Sequence, residues 1–163
     1  MAVDMFLKID GIEGESLDDS HGGEIDVLNW TWGMTQTGTA HKGGGAGNGS
    51  VSVQDVVVSK HVDRSSPTLM KLCCSGKHFD KAVLTCRKAG GSPVEYVKLR
   101  LIKGIITEVS SGGTTGDDRL TETVRLNFEQ FEYIYTPQDS KGAAGGEIPA
   151  QWNIAKNTDR LEE

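Results

Sequence analysis

Cysteine and histidine are the residues of this chain whose chemistry best suits nucleophilic catalysis. Cys73, Cys74, His78 and Asp80 lie close together in the sequence, and a thiol nucleophile with a histidine base can be built from such residues. Catalytic groups meet in space rather than in sequence, however, and buried helix cysteines are usually inert. We therefore interpret the cysteines, including Cys86, as reduced thiols that pack as small hydrophobic side chains. A Cys–His hydrolase remains the enzymatic alternative.

Metal binding has little support in the spacing of the possible ligands. The chain contains no Cys-x-x-Cys pair, and His21, His41 and His61 have no other histidine or cysteine at ligand spacing. Asp117 and Asp118 lie in a Gly-rich turn without the Asp-x-Asp-x-Asp-Gly pattern of a calcium loop. The sequence therefore predicts no catalytic residue, no metal site and no cofactor.

The Gly-rich segment 37–50, TGTAHKGGGAGNGS, resembles a phosphate-binding loop only in its glycine content. A P-loop also needs a Gly-Lys-Ser/Thr ending and a following helix, because backbone N–H groups at the helix N-terminus hold the phosphates. Both features are missing from this sequence. The segment is instead predicted to be a flexible surface loop. A loop that becomes ordered only against a partner is the more specific alternative.

Length and charge exclude several broad classes of protein. The 163 residues suit one domain. A net charge of −6 argues against a general nucleic-acid binder and against electrostatic docking on anionic lipid. No apolar run approaches the roughly 18 residues of a transmembrane helix. The first 16 residues also lack the basic start and unbroken apolar stretch of a signal peptide. We therefore expect neither membrane insertion nor a cleaved signal.

Alternating apolar and polar residues predict a mainly β protein. We expect a single domain over residues 1–156 and a charged, frayed tail over residues 157–163. Turn residues such as Gly, Pro, Asp and Ser separate the strand candidates. These candidates cover residues 2–10, 24–34, 51–62, 81–88, 94–103, 105–110 and 121–135.

Several strand candidates change their apolar face partway along. In one of them Val124, Leu126 and Phe128 give way to Phe131 and Tyr133. Because a one-residue shift turns every side chain over, this pattern indicates bulged or bent strands, which are typical of barrels. Burial of both faces in an oligomer is the alternative explanation.

Another segment places two tryptophans on a common strand face. Trp30 and Trp32 are predicted to lie in the core, because aromatic side chains bury large areas. That prediction assigns Asn29, Thr31 and Gly33 to the opposite face. The opposite face is therefore small and polar, and suits the wall of a cavity or an interface.

One helix is predicted over about residues 66–75. Ser66 suits the N-cap, Pro67 suits the first helical position and Gly76 suits the C-terminal cap. Leu69 and Leu72 fall at helical spacing between them, so the helix should cover one side of the sheet.

Taken together, these segments resemble the haemolysin-coregulated protein (Hcp) family, the tube proteins of bacterial type VI secretion. The resemblance runs in order from Met1 to about Ile154 and includes the Gly-rich loop. It is carried by MAVDMFLKIDGIEGES, HGGEIDVLNWTWGM, DRSSPTLMKLCCSGKHFDKAVLTCRKAGG, DRLTETVRLNFEQFEYIYTPQ and the late WNI.

The resemblance implies a compact antiparallel β-barrel of bent strands with one flanking helix, assembling as a hexameric ring with a central channel. Rings of the family stack into a tube inside a contractile sheath, whose contraction ejects the tube with its tip spike protein. Some secreted effectors travel inside the ring. The family is found in the bacterial cytoplasm before firing and outside the cell afterwards, without a cleaved signal peptide. No residue is implied to be catalytic.

Two sets of residues follow from this resemblance as candidates for binding. Asn29 and Thr31 are the candidates for the channel wall and cargo contact. The ring-stacking candidates lie in the Gly-rich loop and are His41, Lys42, Gly43, Gly44, Gly45, Gly47 and Asn48. The alternative function is a soluble ring that binds and protects effectors without polymerising alone.

Overall fold

The alternating segments fold into strands that are joined by turns and by one helix among the described residues. The computed structural model describes residues 2–40 and 49–163. In chain order the elements are β1 (Val3–Ile9), β2 (Ile25–Asp26), β3 (Asn29–Thr31), β4 (Met34–Gln36), β5 (Val51–Val53), β6 (Val56–His61), α1 (Ser65–Ser75), β7 (Phe79–Lys88), β8 (Val94–Gly112), β9 (Thr121–Tyr135) and β10 (Ile148–Asn153).

The main sheet is antiparallel and has the strand order β2-β1-β7-β8-β9-β6-β3. Strand β8 pairs along the whole length of one edge of β9. The other edge of β9 is divided, because β6 pairs with Thr121 to Leu126 and β10 pairs with Gln130 to Tyr135. The hairpin β4–β5 forms a separate small sheet.

One short run of residues, 25–31, connects the two edges of the main sheet. At its start Leu7 of β1 pairs with Ile25, and at its end Asn29 pairs with Ser59 of β6. Between them, the N–H of Val27 donates to Met5 O at 2.9 Å, and the next N–H donates to Ser59 O at 2.8 Å. The sheet therefore curls until its edges are bridged, and the predicted antiparallel barrel with one flanking helix is confirmed.

The long strands bend where their buried face changes. In β9, Gln130 and Phe131 are buried in succession, at the position predicted from the sequence. In β8, Leu101 and Ile102 are buried in succession, Lys103 has a positive φ of 55°, and the register shifts again between Ile106 and Glu108. Such bulges allow one strand to follow a strongly curved sheet.

The prediction of two strands over residues 94–103 and 105–110 is wrong, because β8 continues through Gly104. A glycine is required there by close packing rather than by a break in the strand. A Cβ on Gly104 would overlap the Phe79 ring and would lie 2.7 Å from Asn127 O. The neighbouring strands approach so closely that only hydrogen fits at this position.

Helix α1 begins one residue earlier than predicted. Its N-cap is Arg64, so the assignment of Ser66 as N-cap is wrong, and Pro67 is the third helical residue. The Asp63 carboxylate instead accepts the Ser65 N–H at 2.9 Å, which satisfies a free donor of the first turn. Gly76 ends the helix with φ 66°, as predicted, and buried Leu69 joins the core.

Two of the strand candidates each contain more than one strand. The candidate over residues 24–34 contains β2, β3 and the first residue of β4, and the candidate over residues 51–62 divides into β5 and β6. Strand β10 lies in a segment for which no strand was predicted. These short strands depend on pairing with distant segments, which local alternation does not reveal.

Residues 157–163 lie against the sheet in this structure. Thr158 and Asn153 exchange backbone hydrogen bonds of 2.7 and 3.3 Å. The buried Gln130 side chain donates to Glu162 O at 2.8 Å and accepts from Glu162 N–H at 2.6 Å. Glu163 forms an ion pair with Arg100.

Candidate functional site

An apolar groove lies between the β4–β5 hairpin and the second half of β9 with β10. Its volume is about 570 Å³. The hairpin side consists of Met34, Gln36, Gly49, Val51 and Val53, and the sheet side of Trp32, Phe131, Tyr133, Ala150, Gln151, Trp152 and Asn157. These lining residues include aromatic and aliphatic side chains and three amides but no charged group.

Trp32 forms the floor of the groove, where it is held by contacts on several sides. Its ring meets Phe131 edge to face at a centroid distance of 4.8 Å and stacks on Tyr133 at 6.4 Å. Its Nε1–H donates to Gln54 O at 3.0 Å. Aromatic pairs in this geometry add to the energy of burial, so the floor is a fixed surface.

The groove is suited to adhesion rather than to proton transfer. Its one titratable side chain among the described lining residues is Tyr133, and burial raises the pKa of that phenol. Phe131 is buried, Tyr133 and Trp152 are half-buried, and Met34 on the rim is 45% exposed. A contiguous apolar surface of this kind is typical of protein–protein contact sites.

The sequence did not reveal this groove. It placed Trp30 and Trp32 in the core, and both are in fact half-buried and packed against it. Trp32 also contacts Phe131 and Tyr133 of β9, which are distant in sequence. The one signal available was the run Phe131, Tyr133 and Tyr135, which was noted only as a change of face.

The predicted channel-wall residues lie on the short strand β3. Asn29 pairs with Ser59 and Thr31 pairs with Val57, and both candidates are exposed. Trp30 between them points the other way, against the core. The two candidates thus share an exposed polar face, and their place in a channel remains a prediction.

The predicted ring-stacking residues lie outside the described residues. They are His41, Lys42, Gly43, Gly44, Gly45, Gly47 and Asn48. The chain on either side of them is described: the Ser50 N–H donates to Thr37 Oγ1 at 3.1 Å. The Gly-rich segment therefore leaves from the end of the β4–β5 hairpin.

The cysteines occupy three different environments. Cys73 is half-buried against the core, Cys74 is exposed on α1 and Cys86 is buried. Burial raises the pKa of the Cys86 thiol, which keeps it protonated and unreactive. Across residues 2–40 and 49–163, no group of three or more His, Cys, Asp or Glu side chains is arranged to hold a metal ion.

An ionic cluster joins α1 to the sheet. It is formed by the buried side chains of Lys60, Ser66 and Glu122, together with half-buried Asp63 and exposed Ser111. The Lys60 ammonium pairs with Glu122, lies 3.0 Å from Asp63 Oδ1 and donates to Ser66 Oγ at 3.3 Å. Glu122 also accepts from Ser66 at 2.5 Å and from Ser111 at 3.1 Å. The three donors of the lysine are therefore all satisfied.

The sequence analysis did not predict this ionic cluster, although the spacing of Lys60 in its strand indicates burial. Lys60 follows Val56 and Val58 at a spacing of two, so it occupies the buried face of β6. Ser66, which had been assigned to the N-cap, instead faces the lysine.

The described helix is too short and polar to span a membrane.

Known proteins resemble this chain over nearly its whole length. Residues 6–135 match the family described as type VI secretion system effector, Hcp. Protein hcp1 of Pseudomonas aeruginosa is 52% identical over 159 residues, covering 96% of this chain and 98% of that protein. Crystalline Hcp1 from Salmonella typhimurium has a TM-score of 0.81 at 40% identity, covering 98% of this chain and all of that one. A structure described as a type six secretion system protein has a TM-score of 0.91 at 29% identity, with 98% and 100% coverage.

Proposed function

Since this chain belongs to the Hcp family of type VI secretion proteins, we propose that it is a structural subunit of the inner tube of that system. In this proposal six copies close into a ring, and rings stack into a tube that contraction of the surrounding sheath ejects. The protein acts by adhesion between copies and catalyses no reaction. Before firing it resides in the bacterial cytoplasm, and afterwards outside the cell, without a cleaved signal peptide.

The observation that carries the proposal is the apolar groove between the β4–β5 hairpin and the β9–β10 face. A single chain leaves Met34 and Tyr133 facing solvent there, and apolar cores of this kind are characteristic of subunit interfaces. A head-to-tail contact, repeated with a rotation that closes, gives a ring.

The partners in this proposal are other copies of the chain, the tip spike protein, the contractile sheath and the effectors that travel in the channel. Asn29 and Thr31 are proposed to face the channel, because they form a small, exposed polar face. A wall without charge or bulk leaves room for folded cargo of varied sequence. Effector binding would then be weak at each contact and repeated around the ring.

Electron microscopy of the purified protein tests the proposal. Rings with a central hole, together with tubes at high protein concentration, are expected. Rings that never form tubes and that co-purify with a small effector would restrict the function to a soluble carrier. Particles without a central hole at all concentrations would contradict both functions.

The channel assignment has its own test in Thr31→Gln. The longer side chain should reduce effector retention while leaving the rings intact, and Thr35→Gln on exposed β4 provides the matched control. Loss of the ring in Thr31→Gln would place this residue at an interface instead. Unchanged effector retention in intact rings would remove Thr31 from the channel wall.

A further inference from the structure

Leu17 is the most exposed large apolar side chain among the described residues, at 98%. We propose that Leu17 of one copy inserts into the apolar groove of the next copy, and so forms the head-to-tail contact of the ring. This inference rests on the proposed function, because it identifies what fills the groove in a ring. The segment 13–24 that carries Leu17 is called the Leu17 loop.

The Leu17 loop holds its tip in a fixed position. Ser16 is buried, its N–H donates to Glu24 O at 2.9 Å and its carbonyl accepts from Gly23 N–H at 2.9 Å. Gly14 permits this close approach, since a Cβ there would lie 2.5 Å from Glu24 O. An exposed leucine on a mobile loop is unremarkable, whereas a leucine held out by a buried neighbour is preorganised for binding.

An arginine secures the other side of the tip. Arg87 of β7 donates to Asp18 through two nitrogens, at 3.0 and 2.5 Å, and to Asp4 at 3.1 Å. Asp18 also accepts from the Ser20 N–H at 3.0 Å. A two-nitrogen bond between guanidinium and carboxylate fixes orientation as well as distance. Leu17 therefore lies between two anchored residues.

A histidine attaches the base of the loop to the barrel. His21 stacks on Phe6 of β1 at a centroid distance of 4.4 Å. Its ring nitrogens lie 2.7 Å from Glu24 Oε2 and 2.6 Å from Glu95 Oε1 at the start of β8. The Leu17 loop is thus held by side chains of β1, β7 and β8.

The loop and the groove lie at separate places across the main sheet. Side chains of β1 and β7 anchor the loop tip, whereas β9 and β10 line the groove, and the order β1-β7-β8-β9 separates them. Along the strand order of the sheet, β7, β8 and β9 therefore lie between β1 and β10. Distinct projecting and receiving surfaces are what a head-to-tail contact requires.

The chemistry of the two surfaces also matches. The groove is apolar at its floor, as a leucine side chain requires, and its volume of about 570 Å³ is large enough to admit one. Glu15 beside the tip and Asp19 just after it are exposed carboxylates. The side-chain amides of Gln36 and Gln151 lie in the groove lining. Their N–H groups can donate hydrogen bonds to such carboxylates, so the groove needs no positively charged residue to receive them.

Disulfide trapping between copies tests this contact. Two variants carry Leu17→Cys, one with Met34→Cys and the other with Gln151→Cys, in a background with the exposed Cys74 changed to serine. Mild oxidation should give a ladder of covalent oligomers up to six chains. Met70→Cys with Met34→Cys is the control, because Met70 is also exposed but lies on α1, outside the groove and the Leu17 loop. This control should give no ladder.

The solution mass of each unoxidised variant separates the possible failures. Intact rings with no ladder from either Leu17 pair would overturn this contact and leave the proposed ring standing. Absence of rings in the unmodified protein would overturn both proposals. As a second readout, Leu17→Asp should raise at least tenfold the protein concentration below which the ring dissociates, whereas Met70→Asp on α1 should leave that concentration unchanged. An equal effect of the two aspartates would also contradict the proposal.

Discussion

Two regions of this protein reverse the usual placement of polar and apolar side chains. Beneath α1, the Lys60 ammonium and the Glu122 carboxylate are fully buried, with each side chain 0% exposed. In the groove, Met34 and the Tyr133 ring remain open to solvent. The buried charges have a complete set of partners within the chain, whereas the rim of the groove has no partner on its open side among residues 2–40 and 49–163.

The contrast distinguishes two kinds of group. The buried charges find their hydrogen-bond partners within one chain, whereas the apolar groove needs a partner molecule to remove it from water. A buried ion pair is tolerated when hydrogen bonds saturate both groups, and the ionic cluster meets this condition through Ser66 and Ser111. An open apolar groove gains free energy only when a partner removes it from water. The folded single chain therefore accounts for the first region, and the proposed ring would account for the second.

The largest effect should come from breaking the ionic cluster. Lys60→Ala leaves Glu122 without its countercharge, and removal of one partner of a buried pair typically costs about 3–5 kcal/mol. Urea unfolding of the variant measures this loss. The double variant Lys60→Met with Glu122→Leu removes both charges and should recover most of the stability. A loss below about 1 kcal/mol for Lys60→Ala would show that water reaches the pair.

A smaller loss is expected from crowding the core at Gly104. Gly104→Ala forces the Phe79 ring and the β9 backbone apart, because the added methyl group overlaps the ring. Overpacking of this kind typically costs about 1–3 kcal/mol, measurable as a lower free energy of unfolding. Gly112→Ala in the same strand has open space around its Cβ and provides the control. Equal losses for the two variants would mean that Phe79 moves aside freely.

A charge in the groove should spare the fold and break the ring. Met34→Asp alters an exposed position, so the free energy of unfolding of the single chain should change by about 0.5 kcal/mol or less. The solution mass should nevertheless fall, because the carboxylate would be desolvated in the interface. Met70 on α1 is 40% exposed, close to the 45% of Met34, so Met70→Asp is the matched control. Intact rings in Met34→Asp would exclude the groove from the interface.

The smallest effect concerns the Leu17 loop in acid. Hydrogen bonding from Arg87 lowers the pKa of Asp18 from 3.8 to about 2. Because this pKa is lowered by folding, the stabilisation is fully present above the unfolded value and is lost as the pH falls from about 4 towards 2. The Asp18 carboxyl carbon followed by NMR should titrate near 2, and its midpoint should move up towards the ordinary value in Arg87→Leu. A midpoint near 3.8 in the unmodified protein would mean that the loop is not anchored by Arg87.

Local patterns were sufficient to predict the elements that carry their own signal. Strand β9 has its predicted bounds and its predicted change of face, because alternation over fifteen residues is unambiguous. The helix was found from its C-terminal glycine and its spacing of leucines. Gly104 misled the prediction because a glycine required by packing has the same appearance in a sequence as one that breaks a strand.

The groove and the ionic cluster could not be predicted in the same way, because each is assembled from distant segments. Trp32 and Trp152 line one groove although they are far apart in sequence. Glu122 was assigned only to a strand, and its burial depends on Lys60 from another strand and on Ser66 from the helix. A sequence pattern reports which face a residue occupies but not which distant residue it meets.

The mass of the unmodified protein in solution tests the central claim, that copies of the chain associate into a closed ring. Light scattering on a sizing column gives this mass directly, across a range of concentrations. Six chains of 17.5 kDa predict a peak near ~105 kDa for a closed ring. A peak at 17.5 kDa at every concentration would contradict the claim, because the groove would then stay open in the native protein.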